Sequence, residues 1–98
     1  MNKITKKEIK TATTSRSLNG VYQKYNPMDR EWECVINGDT YISDNRRQDC
    51  RDDGVEQGTI LKNNEPLSGV HGWDKEHFVD SLYRHLNGLE QWKDPNGL

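Results

Sequence analysis

The stretch RRQDCRDDG, Arg46 to Gly54, gathers three arginines, three aspartates and a cysteine, with almost nothing that could enter a core. Asp49, Asp52, Asp53 and Glu56 are oxygen donors close in sequence, the residue types of a calcium loop. Such a loop needs acids at alternate positions, a glycine at its sharp turn and a closing bidentate glutamate. This stretch lacks that spacing, and Arg46, Arg47 and Arg51 would repel a cation. Zinc is no better served. His71, His77 and His85, with Cys34 and Cys50, form no C-x-x-C or H-x-x-x-H pattern. His77 and His85 would lie about 12 Å apart along one helix, too far to share an ion, so solvated or capping histidines are expected. No glycine-rich phosphate loop, nucleophile elbow or paired-carboxylate motif is present. Cys34 alternates with Trp32 and Ile36, which predicts a buried, unreactive thiol. The residues point to a non-enzymatic protein with no metal and no cofactor.

The elements that hold these residues follow from caps and periodicity. Thr5-Lys6-Lys7-Glu8 is a capping box, flanked by Ile4 and Ile9 at the positions of a hydrophobic staple. It predicts a first helix from Lys6 to about Ser17, stopping at Asn19-Gly20. GVYQKY (residues 20–25), EWECVI (31–36) and DTYIS (39–43) read as strands. Asn37-Gly38 suits a two-residue type I′ turn, which sets Cys34 opposite Tyr41 and Trp32 opposite Ser43. Trp32, Cys34, Ile36 and Tyr41 then face the core, while Glu31, Glu33 and Val35 face away. Residues 44–58 read as a long loop, TILKN (59–63) as a short fourth strand and NEPLSGVHG (64–72) as irregular chain.

Asp74 caps a second helix over Lys75–Leu86, with Phe78, Val79, Leu82, Tyr83 and Leu86 as its apolar stripe. Asn87-Gly88 ends it, with Leu89 placed for a Schellman contact, and Trp92 is expected to fold back on the domain. The fold class is α+β: a small antiparallel sheet of three or four strands packed against an N-terminal and a C-terminal helix. The chain is expected to be one domain over residues 1–98, frayed at about 1–3 and 94–98.

Composition narrows the function classes. Of 98 residues, 31% are apolar and 31% charged, so the core is small, yet three Trp and four Tyr argue against disorder. No run approaches the roughly 20 apolar residues that cross a bilayer, and the basic N-terminus has no apolar run after it. A cytoplasmic protein with reduced thiols and no membrane partner is expected. Charge is split along the chain. Residues 1–30 hold seven Lys/Arg and two Asp/Glu, whereas residues 31–98 hold seven Lys/Arg and fourteen Asp/Glu. Such asymmetry marks a polar partner surface.

Two surfaces compete for that role. The acidic one comprises Asp44, Asp49, Asp52, Asp53 and Glu56 of the loop, with Glu76 and Asp80 of the second helix. Arg46, Arg47 and Arg51 would pair with partner acids or brace the loop internally. Carboxylates displayed this way can occupy Lys/Arg sites built for phosphate. Asp80 and Arg84 also have the spacing of an ordinary helical ion pair. The basic surface comprises Lys3, Lys6, Lys7, Lys10 and Arg16 on the first helix, with Lys24 and Arg30. It would suit a small, sequence-tolerant DNA-binding module. A third possibility is a partner anchored on Trp73 or Trp92, since tryptophan is enriched at binding hot spots.

Three resemblances add to this reading. The α-β-β-β-α order resembles the double-stranded-RNA-binding domain, but DKEHFVDSLY (residues 74–83) is acidic where that family places a basic cluster. GVYQKYNPMDREWECVINGDTYIS (residues 20–43) resembles the three-stranded sheet of ethylene-response-factor type DNA-binding domains. Gly20-Val21-Tyr22, Trp32 and Asn37-Gly38 carry that resemblance. It implies DNA contacts from the exposed sheet face, where this chain offers Lys24 and Arg30 but also Glu31, Glu33 and Asp39. In size, charge layout and lack of catalytic residues, the chain is similar to phage and mobile-element inhibitors of the anti-CRISPR and anti-restriction kind. That likeness implies a partner that is a host protein or ribonucleoprotein complex with a basic nucleic-acid groove, blocked by an acidic, DNA-mimicking surface.

Overall fold

A computed structural model describes residues 3–17, 30–45 and 56–91. The first helix, α1 (Lys6–Ala12), begins as its capping box dictates. The Glu8 N–H donates to the Thr5 hydroxyl at 3.1 Å, and the Thr5 N–H reaches back to the Glu8 carboxylate at 3.4 Å. It ends five residues short of the expected Ser17. Thr13 is extended, and its hydroxyl donates to the Ile9 carbonyl at 2.6 Å. From there Thr13–Ser17 forms a strand, β1. The run TTSRS explains the change: its threonines are β-branched and its serines compete for backbone hydrogen bonds, so helix propensity is low. Pairing with a neighbouring strand then wins.

That neighbour is β2 (Arg30–Ile36), which forms a hairpin with β3 (Asp39–Asp44). Asn37 and Gly38 take φ of 52° and 83°, the conformation a type I′ turn requires. Cys34 accordingly lies opposite Tyr41, and Trp32 opposite Ser43. The place beside β2 belongs to β1, with Thr13 opposite Cys34 and Arg16 opposite Glu31. The strand expected over residues 20–25, the stop at Asn19-Gly20, and Trp92 with the chain end all lie outside the described residues.

β4 (Thr59–Lys62) continues the sheet, as expected, and β5 (Glu65–His71) completes it where irregular chain was anticipated. Pro66 and Gly69 hide that strand from a propensity reading. Both are tolerated because β5 is the last strand in the order and its ladder with β4 is broken by a bulge. The β4–β5 turn is made by Asn63 and Asn64, both at positive φ. The result is a five-stranded antiparallel meander in the order β1-β2-β3-β4-β5, of the expected α+β class.

Both helices lie on one face of the sheet. α2 (Lys75–Leu86) has the expected bounds, and Phe78, Val79 and Leu82 join Ile9, Cys34, Tyr41, Ile60 and Val70 in the core. Its C-terminus closes as a Schellman turn: the Leu89 N–H donates to Arg84 O at 2.7 Å and the Gly88 N–H to His85 O at 3.3 Å. Leu89 itself stays exposed. The two helices are tied by Lys6–Asp80 at 3.0 Å and by Asn87, which exchanges hydrogen bonds with the Ile4 backbone. Cys34 is fully buried, and burial pushes its thiol up against an opposing hydrogen bond with Thr13. Among the described residues no helix is long and apolar enough to cross a membrane.

Leu82 is fully buried between the helix layer and the sheet. Leu82→Ala should cost about 2–5 kcal/mol, read as a lowered urea midpoint. An unchanged midpoint would contradict this core.

Candidate functional site

The most distinctive surface lies where β5 passes into α2. Gly72 is buried there, and Trp73, the next residue, stands 56% exposed. Its carbonyl is held from behind. It accepts from the Trp32 indole N–H at 3.3 Å and from Asn45 Nδ2 at 3.1 Å. Its ring lies against Gly58, whose φ is +88°; a Cβ at that position would meet the indole Nε1 at 2.7 Å. Gly58 therefore serves both a left-handed backbone and a close ring contact. The His71 ring stacks beside Trp73, with centroids 6.1 Å apart and planes 14° apart. The His77 ring stands across it at 81°, with centroids 6.4 Å apart. Two orthogonal rings thus form a corner at the start of α2.

Carboxylates rim this corner. Glu56 is mostly exposed, with Oε2 at 3.6 Å from His71 Nε2. Asp74 caps α2, accepting from the His77 N–H at 2.8 Å and lying 2.9 Å from His77 Nδ1. The backbone hydrogen bond from His77 is the main influence holding the Asp74 carboxyl below its usual range, with partial burial opposing it. Glu76 is exposed one residue into the helix. Beneath the corner, Asn45 is only 6% exposed. Its Nδ2 donates to Arg30 O and Trp73 O, while among the described residues its buried Oδ1 has no hydrogen-bond partner.

The fold sorts the expected site residues unequally. Asp44 closes β3 and is 3% exposed. It was expected on a surface loop, but β3 extends one residue further than the DTYIS pattern and carries it into the sheet. Asp80 is engaged by Lys6 at 3.0 Å and by Arg84 at 2.9 Å. Burial raises its carboxyl, but the hydrogen bonds from Lys6 and Arg84 prevail and the net direction is down. Its charge is therefore already answered within the fold. Glu56 and Glu76 remain exposed. Arg46, Arg47, Asp49, Arg51, Asp52 and Asp53 lie outside the described residues. The two flanks of their segment, Asn45 and Glu56, are both members of the Trp73 corner.

On the basic side, Lys3, Lys7 and Lys10 are exposed. Lys6 is paired with Asp80 and sits 5.3 Å from the Tyr83 ring centroid. Arg16 lies on β1 rather than on the first helix, and it pairs with Glu31 at 3.1 Å. Arg30 donates to the Ser15 hydroxyl at 3.3 Å, and Lys24 lies outside the described residues. The charge split along the chain carries over only in part to the sheet, where acids and bases alternate on neighbouring strands. Lys7, Lys10 and Arg16 lie on α1 and β1 beside Glu8, Glu31 and Glu33, while Glu56, Glu65, Asp74 and Glu76 lie on or near β5 and the start of α2 beside Lys62 and Lys75.

The corner was only partly foreseen. Trp73 stands out in the sequence as a possible anchor, and the three histidines only as solvated or capping residues. The grouping of His71, Trp73 and His77 was not seen, although spacings of two in extended chain and four at a helix start were its signal. Among the described residues no group of three His, Cys, Asp or Glu is placed to hold a metal ion. The chain matches no protein-family model, no curated protein and no solved structure.

Gly58→Ala should strain the backbone and push Trp73 outward, costing at least about 1 kcal/mol and moving the Trp73 indole N–H resonance. A silent substitution would contradict the packing described. Asp74→Ala should cost about 1 kcal/mol as a lost cap. Because the folded Asp74 carboxyl is depressed, the wild-type advantage is full at neutral pH and shrinks as pH falls through its folded pKa. A gap between wild type and variant that widened on acidification would refute the assignment.

Proposed function

We propose that the chain is a non-enzymatic interaction protein that blocks a host protein or ribonucleoprotein by occupying its basic nucleic-acid groove. In size, charge layout and lack of a catalytic constellation it is similar to phage and mobile-element inhibitors of the anti-CRISPR and anti-restriction kind, a diverse group without a shared motif. The observation that carries the reading is an exposed tryptophan whose carbonyl is held by Trp32 and Asn45 and whose ring lies against Gly58, with Glu56 on its neighbour His71 and Asp74 on its neighbour His77. A braced aromatic loses little freedom on binding, which favours affinity. Carboxylates around it suit lysines and arginines that normally meet phosphate, and repel nucleic acid itself. The contact surface is therefore centred on Trp73, with the flanking 46–55 segment contributing its own charges. Asp44 and Asp80 have no place in it.

The test has two arms. The purified chain should not shift generic duplex DNA even at low salt, and partners captured from a host-cell lysate should be displaced by excess duplex DNA. A salt-sensitive shift would instead favour a DNA-binding module using Lys3, Lys7 and Lys10 of the basic edge. Partners indifferent to DNA would sink the groove reading. Reversing Asp52 and Asp53 to Lys should abolish capture without unfolding the chain; undiminished capture would remove the 46–55 segment from the contact.

A further inference from the structure

We infer that the corner between Trp73 and His77 is a seat for an arginine side chain of the partner. This inference deepens the reading above and rests on it for the kind of partner, but not for the chemistry of the seat. Trp73 offers an exposed indole, whose negative π-face attracts a cation, and a planar guanidinium can stack on it. His77 stands across that ring at 81° and forms a second wall. Its Nδ1 is held at 2.9 Å from the Asp74 carboxylate, which keeps the wall in place. Glu56 reaches His71, the ring stacked beside Trp73, at 3.6 Å, and that contact leaves most of its side chain in solvent. A carboxylate in that position can accept the paired N–H groups of a guanidinium.

Other occupants fit less well. A phosphate or a nucleobase with its backbone would meet Glu56, Asp74 and Glu76. A purely apolar anchor would leave these carboxylates desolvated and unanswered. Lysine would satisfy the charge, but it lacks the plane that stacks on indole and the fork that matches a carboxylate. Arginine answers the ring and the rim together. It is also the residue that a groove built for nucleic acid supplies most readily.

The probe is a short blocked peptide, acetyl-Gly-Arg-Arg-Gly-amide, titrated into isotopically labelled full-length chain. The control is the same peptide with lysines in place of the arginines. The arginine peptide should shift the Trp73 indole N–H and the Gly58 amide saturably, and bind about fivefold tighter than the lysine peptide. Trp73→Leu, which removes the indole reporter itself, should abolish the Gly58 amide shift, and Glu56→Gln should weaken both shifts while leaving the fold intact. Equal binding of the two peptides would reduce the effect to general electrostatics and overturn the inference. So would shifts centred away from Trp73, or binding that survives Trp73→Leu. The two readings fail separately. Arginine seated at Trp73 would stand even if duplex DNA did not displace the captured partners. DNA-sensitive capture without any arginine response would leave the groove reading intact and remove the seat.

Discussion

The close passage of Gly72 against Phe78 determines how the second helix lies on the sheet. A Cβ on Gly72 would come within 2.5 Å of the Phe78 Cα, a distance no side chain can accept, so the chain can turn from β5 into α2 at this depth only with glycine. Two hydroxyls secure the crossing: Ser43 donates to the Gly72 carbonyl and Ser81 to that of His71. With the turn pinned from the sheet side and from the helix side, Phe78, Val79 and Leu82 fall into the core, and Trp73 has nowhere to go but outward. Core and candidate site thus depend on one constraint. The ring that a partner would meet is exposed because its predecessor is buried.

Much of the architecture was legible in the sequence wherever a local signal agreed with the tertiary outcome. The Thr5–Glu8 box, the Asn37-Gly38 turn and the apolar stripe from Phe78 to Leu86 each specify their elements through short-range geometry. Two regions misled for opposite reasons. At residues 13–17, continuation of a well-capped helix looked natural, but Thr13 takes the Ile9 carbonyl for its own hydroxyl and the following residues gain a ladder with β2. At residues 65–71, Pro66 and Gly69 looked like punctuation, because a propensity reading cannot know that the strand lies at an edge and contains a bulge. Two residues expected on the acidic surface are engaged within the fold. Asp44 is drawn into the sheet by one further residue of pairing, and Asp80 is held by a lysine from a helix some seventy residues away in the chain.

Charge does two kinds of work in this fold. Within it, Lys6–Asp80–Arg84 joins the two helices and Arg16–Glu31 joins two strands. Such partly exposed pairs add little to stability, but they consume charges that a sequence count would assign to binding. Of the rest, the exposed lysines Lys7 and Lys10 lie on α1, while Glu56, Asp74 and Glu76 lie toward β5 and the start of α2.

The fifth strand carries a consequence for how any partner can dock beside the Trp73 corner. A free sheet edge normally invites another chain to add a strand through its row of backbone donors and acceptors. In β5 that row is interrupted. Pro66 has no N–H to offer, and Gly69 sits at φ +75° within the bulge that breaks the ladder with β4. An incoming strand would find no long, evenly spaced template there. The same irregularity guards the edge against indiscriminate stacking of chains, so that any contact made along it would rest on side chains rather than on backbone.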